Sequence, residues 1–205
     1  MNQNGFFIVL DGIDGSGTTT HSQLLTGFLE SKGLRVHITQ EPSNNEIGLL
    51  LRKFLKDNKI PASTDALMFA ADRDLHYRNE IKKKLDEGYI VISDRYIESS
   101  IIYQSVQSDE ITIDWVKNIN KFAGMPDATI ILDIEPQISL SRKNQSDLEK
   151  FENTNFLEKV RNTYLKRAKE LNYFVINTND IIELAQQKIQ NFIISKLKEK
   201  GFKFK

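Results

Sequence analysis

The sequence predicts an α/β fold in three layers, with a five-stranded parallel sheet flanked by helices. Five short apolar segments are of the kind that forms strands buried on both faces. Helical patterns separate these segments and no hairpin signal joins them, so we expect parallel pairing through crossover helices. The predicted strands lie at residues 6–10, 35–39, 89–93, 128–133 and 173–177. The predicted helices lie around residues 18–32, 46–57, 65–87, 97–107, 113–124, 136–142, 154–171 and 180–200.

The first predicted strand runs into a glycine-rich loop. The loop residues are Gly12, Ile13, Asp14, Gly15, Ser16, Gly17, Thr18, Thr19 and Thr20. Gly12, Gly17 and Thr19 match the phosphate-loop pattern G-x-x-x-x-G-K-[ST]. Thr18 stands where that pattern has lysine. Backbone N–H groups of such a loop cradle an anion, the next helix adds a favourable dipole, and the matching threonine offers its hydroxyl to Mg²⁺. The loop therefore predicts a P-loop nucleotide site without its usual cation.

Charged side chains follow the second and third predicted strands, at the edge where parallel sheets bind ligands. Glu41 follows the second strand, and Arg52 lies in the next predicted helix. Asp94 and Arg95 follow the third strand. A carboxylate here suits Mg²⁺, and a guanidinium suits a bidentate contact with phosphate. A structural ion pair between Asp94 and Arg95 is the alternative that the sequence leaves open.

Length and composition restrict the class of protein. The chain of 205 residues suits a single domain over residues 1–205. Its 28 basic and 28 acidic residues cancel, which argues against a general affinity for nucleic acid or for an anionic membrane. The sequence contains no cysteine, which excludes disulfides and thiolate chemistry. No apolar run approaches the roughly 18 residues of a membrane helix, and we expect a cytoplasmic protein.

Several motifs together resemble those of the thymidylate kinases, and they follow the order found in that family. Besides the loop, they are Glu41-Pro42, residues 67–73 (LMFAADR), residues 94–100 (DRYIESS), Tyr103-Gln104, residues 127–133 and the stretch 142–152. The resemblance covers nearly the full chain. It implies a P-loop NTPase fold and Mg²⁺-dependent transfer of the ATP γ-phosphoryl group to thymidine monophosphate (dTMP), giving dTDP and ADP. It also implies a homodimer.

The resemblance assigns roles in the site for the acceptor nucleotide. Phe69 resembles the platform on which the thymine ring stacks, and Arg73, one turn later, reaches the same base. Gln104 reads the imide edge of a pyrimidine with its paired donor and acceptor. Tyr103 resembles the aromatic residue beneath the sugar, and Asp14 the carboxylate that holds the 3′-hydroxyl. Arg95, assisted by Arg52, is expected to bind the acceptor phosphate. The full predicted substrate set is Asp14, Glu41, Arg52, Phe69, Arg73, Arg95, Ser99, Ser100, Tyr103 and Gln104.

A short mobile lid is expected at residues 143–152, where the resemblance places it. The polar run 143–147 has no apolar period, as in a surface loop. Arg142 resembles the arginine at the lid base, near the adenine and phosphates of ATP. Because Thr18 is uncharged, we expect a lid cation, Lys150 or Lys143, to replace the missing lysine. The predicted catalytic residues are Asp94, Arg95, Arg142 and Lys150, and the predicted metal ligands are Thr19 and Asp94.

Two other functions stay open at this point. One is a kinase for another acceptor, such as a deoxynucleoside, although Arg95 and Arg52 favour an acceptor with a phosphate. The other is a catalytically impaired nucleotide-binding protein, because the loss of one cation at such a site costs about 3–5 kcal/mol of transition-state stabilisation. The presence of the acceptor-site residues favours an active enzyme. The histidines at positions 21, 37 and 76 show no metal-ligand spacing and are expected to be ordinary residues.

Overall fold

The predicted five-stranded parallel sheet is confirmed. A computed structural model describes residues 5–57, 59–142, 154–179 and 181–204. The strands are β1 (Phe6–Gly12), β2 (Val36–Gln40), β3 (Ile90–Asp94), β4 (Ala128–Asp133) and β5 (Phe174–Asn177). All neighbouring strands pair in parallel, in the order β2-β3-β1-β4-β5. β1 is therefore the central strand, and its continuous apolar run reflects burial on both faces.

Helices connect the strands and cover both faces of the sheet. They are α1 (Thr18–Ser31), α2 (Glu46–Phe54), α3 (Ala62–His76), α4 (Lys82–Asp86), α5 (Ile97–Gln107), α6 (Ile113–Ile119), α7 (Pro136–Ser141), α8 (Thr154–Leu171) and α9 (Ile182–Glu199). A π-helical segment, Tyr77–Ile81, joins α3 to α4, so the helix predicted at 65–87 is continuous. None of the helices formed by the described residues is long and apolar enough to cross a membrane.

The alternation of side chains along β1 divides the core into two halves. Phe7 and Val9 pack into the half formed with α5 and α8, whereas Phe6, Ile8 and Leu10 pack into the half formed with α1 and α9. This period of two is the normal consequence of strand geometry. The result is a sheet between two helical layers, with the loop that follows β1 at its centre.

Helix α6 is shorter than the sequence predicted. The pattern predicted a helix over residues 113–124, but the helix ends at Ile119. Asn120 caps it, since its backbone N–H and its side-chain amide both donate to the carbonyl oxygen of Val116. The free side-chain oxygen of Asn120 then accepts a hydrogen bond from Arg73. The residue that ends α6 is therefore also a hydrogen-bond partner of Arg73.

Candidate active site

The loop between β1 and α1 is shaped by two glycines in the left-handed region. Gly15 has φ 76° and Gly17 has φ 95°, and residues with a Cβ rarely adopt such values. A Cβ on Gly15 would also lie 2.6 Å from the carbonyl oxygen of Ser139. Because α1 begins at Thr18, the free N–H groups of its first turn and the positive end of its dipole face the loop. This geometry suits an anion such as phosphate.

Thr19 and Asp94 meet beside the loop. The Thr19 hydroxyl donates to the Oδ2 atom of Asp94. Asp94 as a whole is 8% exposed. The other carboxylate oxygen, Oδ1, is buried and has no hydrogen-bond partner among the described residues. A buried oxygen without a donor is a vacant ligand position for a hard cation. No group of three or more His, Asp or Glu side chains within the described ranges is arranged so that it could hold a metal ion, so Mg²⁺ would need phosphate oxygens to complete its shell.

A cavity of about 450 Å³ runs along the loop and the start of α1. It is lined by residues 15–21 and by Arg142, Thr178, Ile182 and Ala185. Arg142 donates to the carbonyl oxygens of Thr178, at 2.8 Å, and of Gly15, at 3.3 Å. We call this space the donor cavity. The predicted lid at residues 143–152, including Lys150, lies outside the described residues.

A second cavity, of about 230 Å³, opens on the other side of Asp14, and we call it the acceptor cavity. Every residue of the predicted substrate set except Ser100 lines it, together with Pro42, Leu55 and Tyr96. Ser100 does not line the cavity itself, but its hydroxyl accepts a hydrogen bond at 2.9 Å from Arg73, which does. The structure thus brings together side chains from five separate parts of the chain.

Three residues of the predicted nucleotide-binding loop do not line the donor cavity. The Ile13 side chain is 2% exposed and packs into the core, so only its backbone is available for binding. The Gly12 carbonyl accepts a hydrogen bond from Arg95 at 2.7 Å. Asp14 lines the acceptor cavity instead. The loop therefore separates the two cavities and contributes residues to both.

Arg95 occupies a strained turn between β3 and α5. Its φ is 70°, which is unusual for a residue with a side chain. Its guanidinium donates to the Asp14 carboxylate at 2.7 Å and to the Ser99 hydroxyl at 3.0 Å. The pair between Asp94 and Arg95, which the sequence left open, is absent from the ion pairs of the described residues, because Arg95 pairs with Asp14. Burial and the charge of Asp14 act in opposite directions on Arg95, and the net effect raises its pKa.

The Arg52 guanidinium is engaged by the backbone of the loop after β2. It donates to the carbonyl oxygens of Pro42 and Ser43 while it lines the acceptor cavity. Asp72 holds the same loop from the other side, since it accepts hydrogen bonds from the backbone and hydroxyl of Ser43 at 2.8 and 2.6 Å. The loop that carries Glu41 is therefore fixed against α3.

A buried cluster of charges lies behind the acceptor cavity. Arg73 is 1% exposed and donates to the Glu41 carboxylate at 2.8 Å. Its remaining partners include Asn120 at 2.6 Å and Ser100. His76, one turn after Arg73, lies 3.2 Å from the other oxygen of Glu41. The Arg73 guanidinium, which the sequence predicts to contact a base, is thus held by protein atoms on several sides.

The sequence did not identify Asp11 as a site residue. Asp11 is fully buried at the carboxyl end of β1 and accepts hydrogen bonds from the Ser99 hydroxyl at 2.6 Å and the Tyr164 hydroxyl at 2.7 Å. Burial raises its pKa, and the nearby charge of Arg95 counteracts that effect. Its position next to Gly12 at a strand end is the one signal that the sequence offers.

The comparisons with known proteins all find the same family. The family model described as "Thymidylate kinase" matches residues 10–189. The chain is 46% identical over 175 residues to a probable thymidylate kinase of Pyrobaculum aerophilum, covering 84% of this chain and 88% of that protein. It is 39% identical over 198 residues to a probable thymidylate kinase of Caldivirga maquilingensis, covering 95% and 96% of the two chains. A probable thymidylate kinase of Methanosphaera stadtmanae is 41% identical over 198 residues, covering 94% and 99%.

The contact between His76 and Glu41 predicts that stability falls as the pH rises. Burial alone would lower the pKa of His76, but the hydrogen bonds to Glu41 and Glu80 raise it from 6.5 to about 9. The folded chain therefore binds this proton more tightly than the unfolded chain does. The resulting stabilisation, up to about 3 kcal/mol, is fully present below pH 6.5 and is lost as the pH rises through about 9.

Urea unfolding from below pH 6.5 to above pH 9 measures this dependence. We expect the free energy of unfolding to fall across that range in the native protein and to change much less in His76→Gln. An equally steep fall in both proteins would show that another group is responsible.

Proposed function

The chain belongs to the thymidylate kinase family and is a kinase, and we propose that it transfers the γ-phosphoryl group of ATP to dTMP, giving dTDP and ADP. The acceptor cavity is the observation that carries this proposal. It combines an aromatic wall, amide and guanidinium groups, and a route to the phosphate loop through Asp14 and Arg95. The family relationship supports the same acceptor.

The lining of the acceptor cavity suits a pyrimidine deoxynucleotide. Phe69 offers an apolar ring in the cavity wall for a stacked base. The Gln104 side chain is 1% exposed, and its carbonyl oxygen has no hydrogen-bond partner among the described residues. Such an amide can meet the imide edge of thymine, which presents one donor and flanking acceptors. Tyr103 lines the same cavity and donates its hydroxyl to Asp14 at 3.3 Å, and its ring would pack beneath the sugar and disfavour a 2′-hydroxyl.

The pair of Asp14 and Arg95 suits the phosphate and the sugar of the acceptor. The two side chains pair with each other at 2.7 Å. We infer that the acceptor phosphate takes the place of Asp14 on the Arg95 guanidinium, which leaves the carboxylate free for the 3′-hydroxyl. Arg52 lines the same cavity and would assist. No covalent intermediate is needed, because the acceptor is already an ionised phosphate. The protein has to align the two nucleotides and to neutralise the negative charge of their phosphates.

Thr19 and Asp94 are the side chains that would hold Mg²⁺, since the Oδ1 atom of Asp94 lacks a partner among the described residues. With ATP bound, Thr19 and Asp94 would hold the metal, which would supply positive charge to the phosphates. Backbone N–H groups of residues 15–19 would hold the donor phosphates. Arg142 would contact ATP from the far side of the donor cavity, which it already lines.

Acceptor preference is the first test of this function. With ATP and Mg²⁺, dTMP should be turned over faster than any other nucleoside monophosphate, and deoxyuridine monophosphate should follow. The latter lacks one methyl group, worth about 1 kcal/mol or roughly fivefold in kcat/KM. A coupled assay of ADP release measures both, with reactions lacking Mg²⁺ as the control. Equal or faster turnover of adenylate or cytidylate would contradict the assignment.

The neutral Thr18 leads to a second test. We propose that Lys150 supplies the missing cation when ATP binds. By analogy with arginine fingers, Lys150→Ala should lower kcat by about 10³-fold, whereas Lys143→Ala, the matched change within the same segment, should have a smaller effect. Thr18→Lys added to Lys150→Ala should restore part of the activity. Unchanged kcat in the Lys150→Ala, Lys143→Ala and double variants would rule out a lid cation.

We propose further that the protein works as a homodimer in the cytoplasm. Leu49 of α2 and Leu67 of α3 are each 52% exposed, and these helices pack on each other. Contiguous exposed apolar surface is typical of interfaces between subunits, and we propose that these two leucines belong to such a surface. Light scattering of the purified protein should give the mass of two chains, and the mass of one chain would contradict the dimer. Cell fractionation tests the location.

A further inference from the structure

His76 is held as a doubly protonated imidazolium by its neighbours. Its Nδ1 atom lies 3.2 Å from the Glu41 carboxylate and its Nε2 atom 2.7 Å from the Thr39 hydroxyl. The Nε2 atom also lies 3.7 Å from the Glu80 carboxylate. A carboxylate can only accept, and its negative charge on this side favours a hydrogen on Nε2, for which the Thr39 hydroxyl is the acceptor. The Glu41 carboxylate likewise accepts a hydrogen bond from the Nδ1 atom of His76. Both ring nitrogens of His76 therefore carry hydrogen.

The His76 imidazolium fixes the carboxylate of Glu41. One oxygen of Glu41 accepts from His76, and the other accepts from Arg73 at 2.7 and 2.8 Å. All three side chains are buried. Without the imidazolium, one buried carboxylate oxygen would lose its charged donor, and only the contacts of Arg73 with the other oxygen would restrain the carboxylate. His76 is therefore the second of the two side chains that fix the orientation of Glu41.

Glu41 in turn fixes the guanidinium of Arg73. The Nε atom and one terminal nitrogen bind Glu41, and that terminal nitrogen also contacts the Tyr96 carbonyl and the Ser100 hydroxyl. The second terminal nitrogen uses one hydrogen for Asn120. Its other hydrogen has no partner among the described residues, and Arg73 lines the acceptor cavity. This N–H is the group that a base oxygen in the cavity can bind.

The same residues form a line of alternating charges that ends at the acceptor cavity. The half-exposed His37 bonds Glu80 at 2.9 Å, and Glu80 lies 3.7 Å from His76. His76, Glu41 and Arg73 then follow. The titratable and charged groups that face His76 are Glu41, from the segment after β2, and Glu80, from the π-helical segment. Two carboxylates beside one imidazole keep it charged, although it is buried.

From these contacts we infer that His76 is a positioning residue for the acceptor base. Through Glu41, it holds Arg73 in the orientation that presents its free N–H to the base of a pyrimidine nucleotide. The inference rests on the proposed function, since dTMP is taken as the acceptor. His76 itself does not line the cavity, so its effect on ligands is indirect and should be confined to those that carry a base.

Direct binding tests this role with two ligands, dTMP and 2-deoxyribose 5-phosphate, which has the sugar and phosphate without the base. Loss of a hydrogen bond to a charged group predicts about tenfold weaker dTMP binding by His76→Gln in calorimetry, with a matching rise in the KM for dTMP. Binding of deoxyribose 5-phosphate and the KM for ATP should stay unchanged. The difference in dTMP affinity between the native protein and His76→Gln should shrink as the pH rises towards about 9, where His76 loses its proton.

His37→Gln is the matched control, because it makes the same substitution at the exposed end of the line and should bind dTMP normally. Native dTMP affinity in a folded His76→Gln protein, or an equal loss for both ligands, would overturn the inference. If His76→Gln does not fold, Thr39→Val removes the acceptor of the Nε2 hydrogen, and a selective loss of dTMP affinity is again required. Failure of the native protein to bind or phosphorylate dTMP would refute the proposed function instead.

Discussion

The carboxylate of Asp11 is the contact on which the geometry of both cavities depends. It lies at the end of β1, fully buried, and accepts hydrogen bonds from the backbone N–H of Gly12, Tyr96 and Ser99 and from the hydroxyls of Ser99 and Tyr164. A buried carboxylate is costly unless donors surround it. Here those donors come from the phosphate loop, from the turn after β3, from the start of α5 and from α8, so satisfying one carboxylate fixes four parts of the chain relative to one another.

Arg95 shows how this arrangement reaches the reacting groups. Ser99 accepts a hydrogen bond from Arg95 and donates one to Asp11, so its hydroxyl links the guanidinium to the Asp11 carboxylate, which lies 3.9 Å from Arg95. The positive φ of Arg95 turns the chain at the strand end, and the pair with Asp14 compensates the charge before any nucleotide binds. The guanidinium is therefore held in position by protein contacts alone, and in the proposed reaction the acceptor phosphate would replace the Asp14 carboxylate on it.

The parts that the sequence could predict are those whose signals are local. The strand, glycine loop and helix around Gly12 are contiguous, and the residues at the ends of β2 and β3 follow from the rule for parallel sheets. The contacts of Asp11 with Ser99 and Tyr164 join residues 88 and 153 positions apart, and no local pattern contains them. His76 was expected to be ordinary for the same reason, since its partner Glu41 lies 35 positions away.

The neutral Thr18 is easier to understand from the charges on either side of the loop. Among the described residues, Arg95 donates to the carbonyl of Gly12 at 2.7 Å and Arg142 donates to the carbonyl of Gly15 at 3.3 Å. One guanidinium faces the acceptor cavity and the other faces the donor cavity. Phosphoryl transfer requires that the spreading negative charge be neutralised, and the field at the phosphates sums over all nearby cations. A loop with cations at both edges therefore needs less from position 18 than a loop that relies on one central lysine.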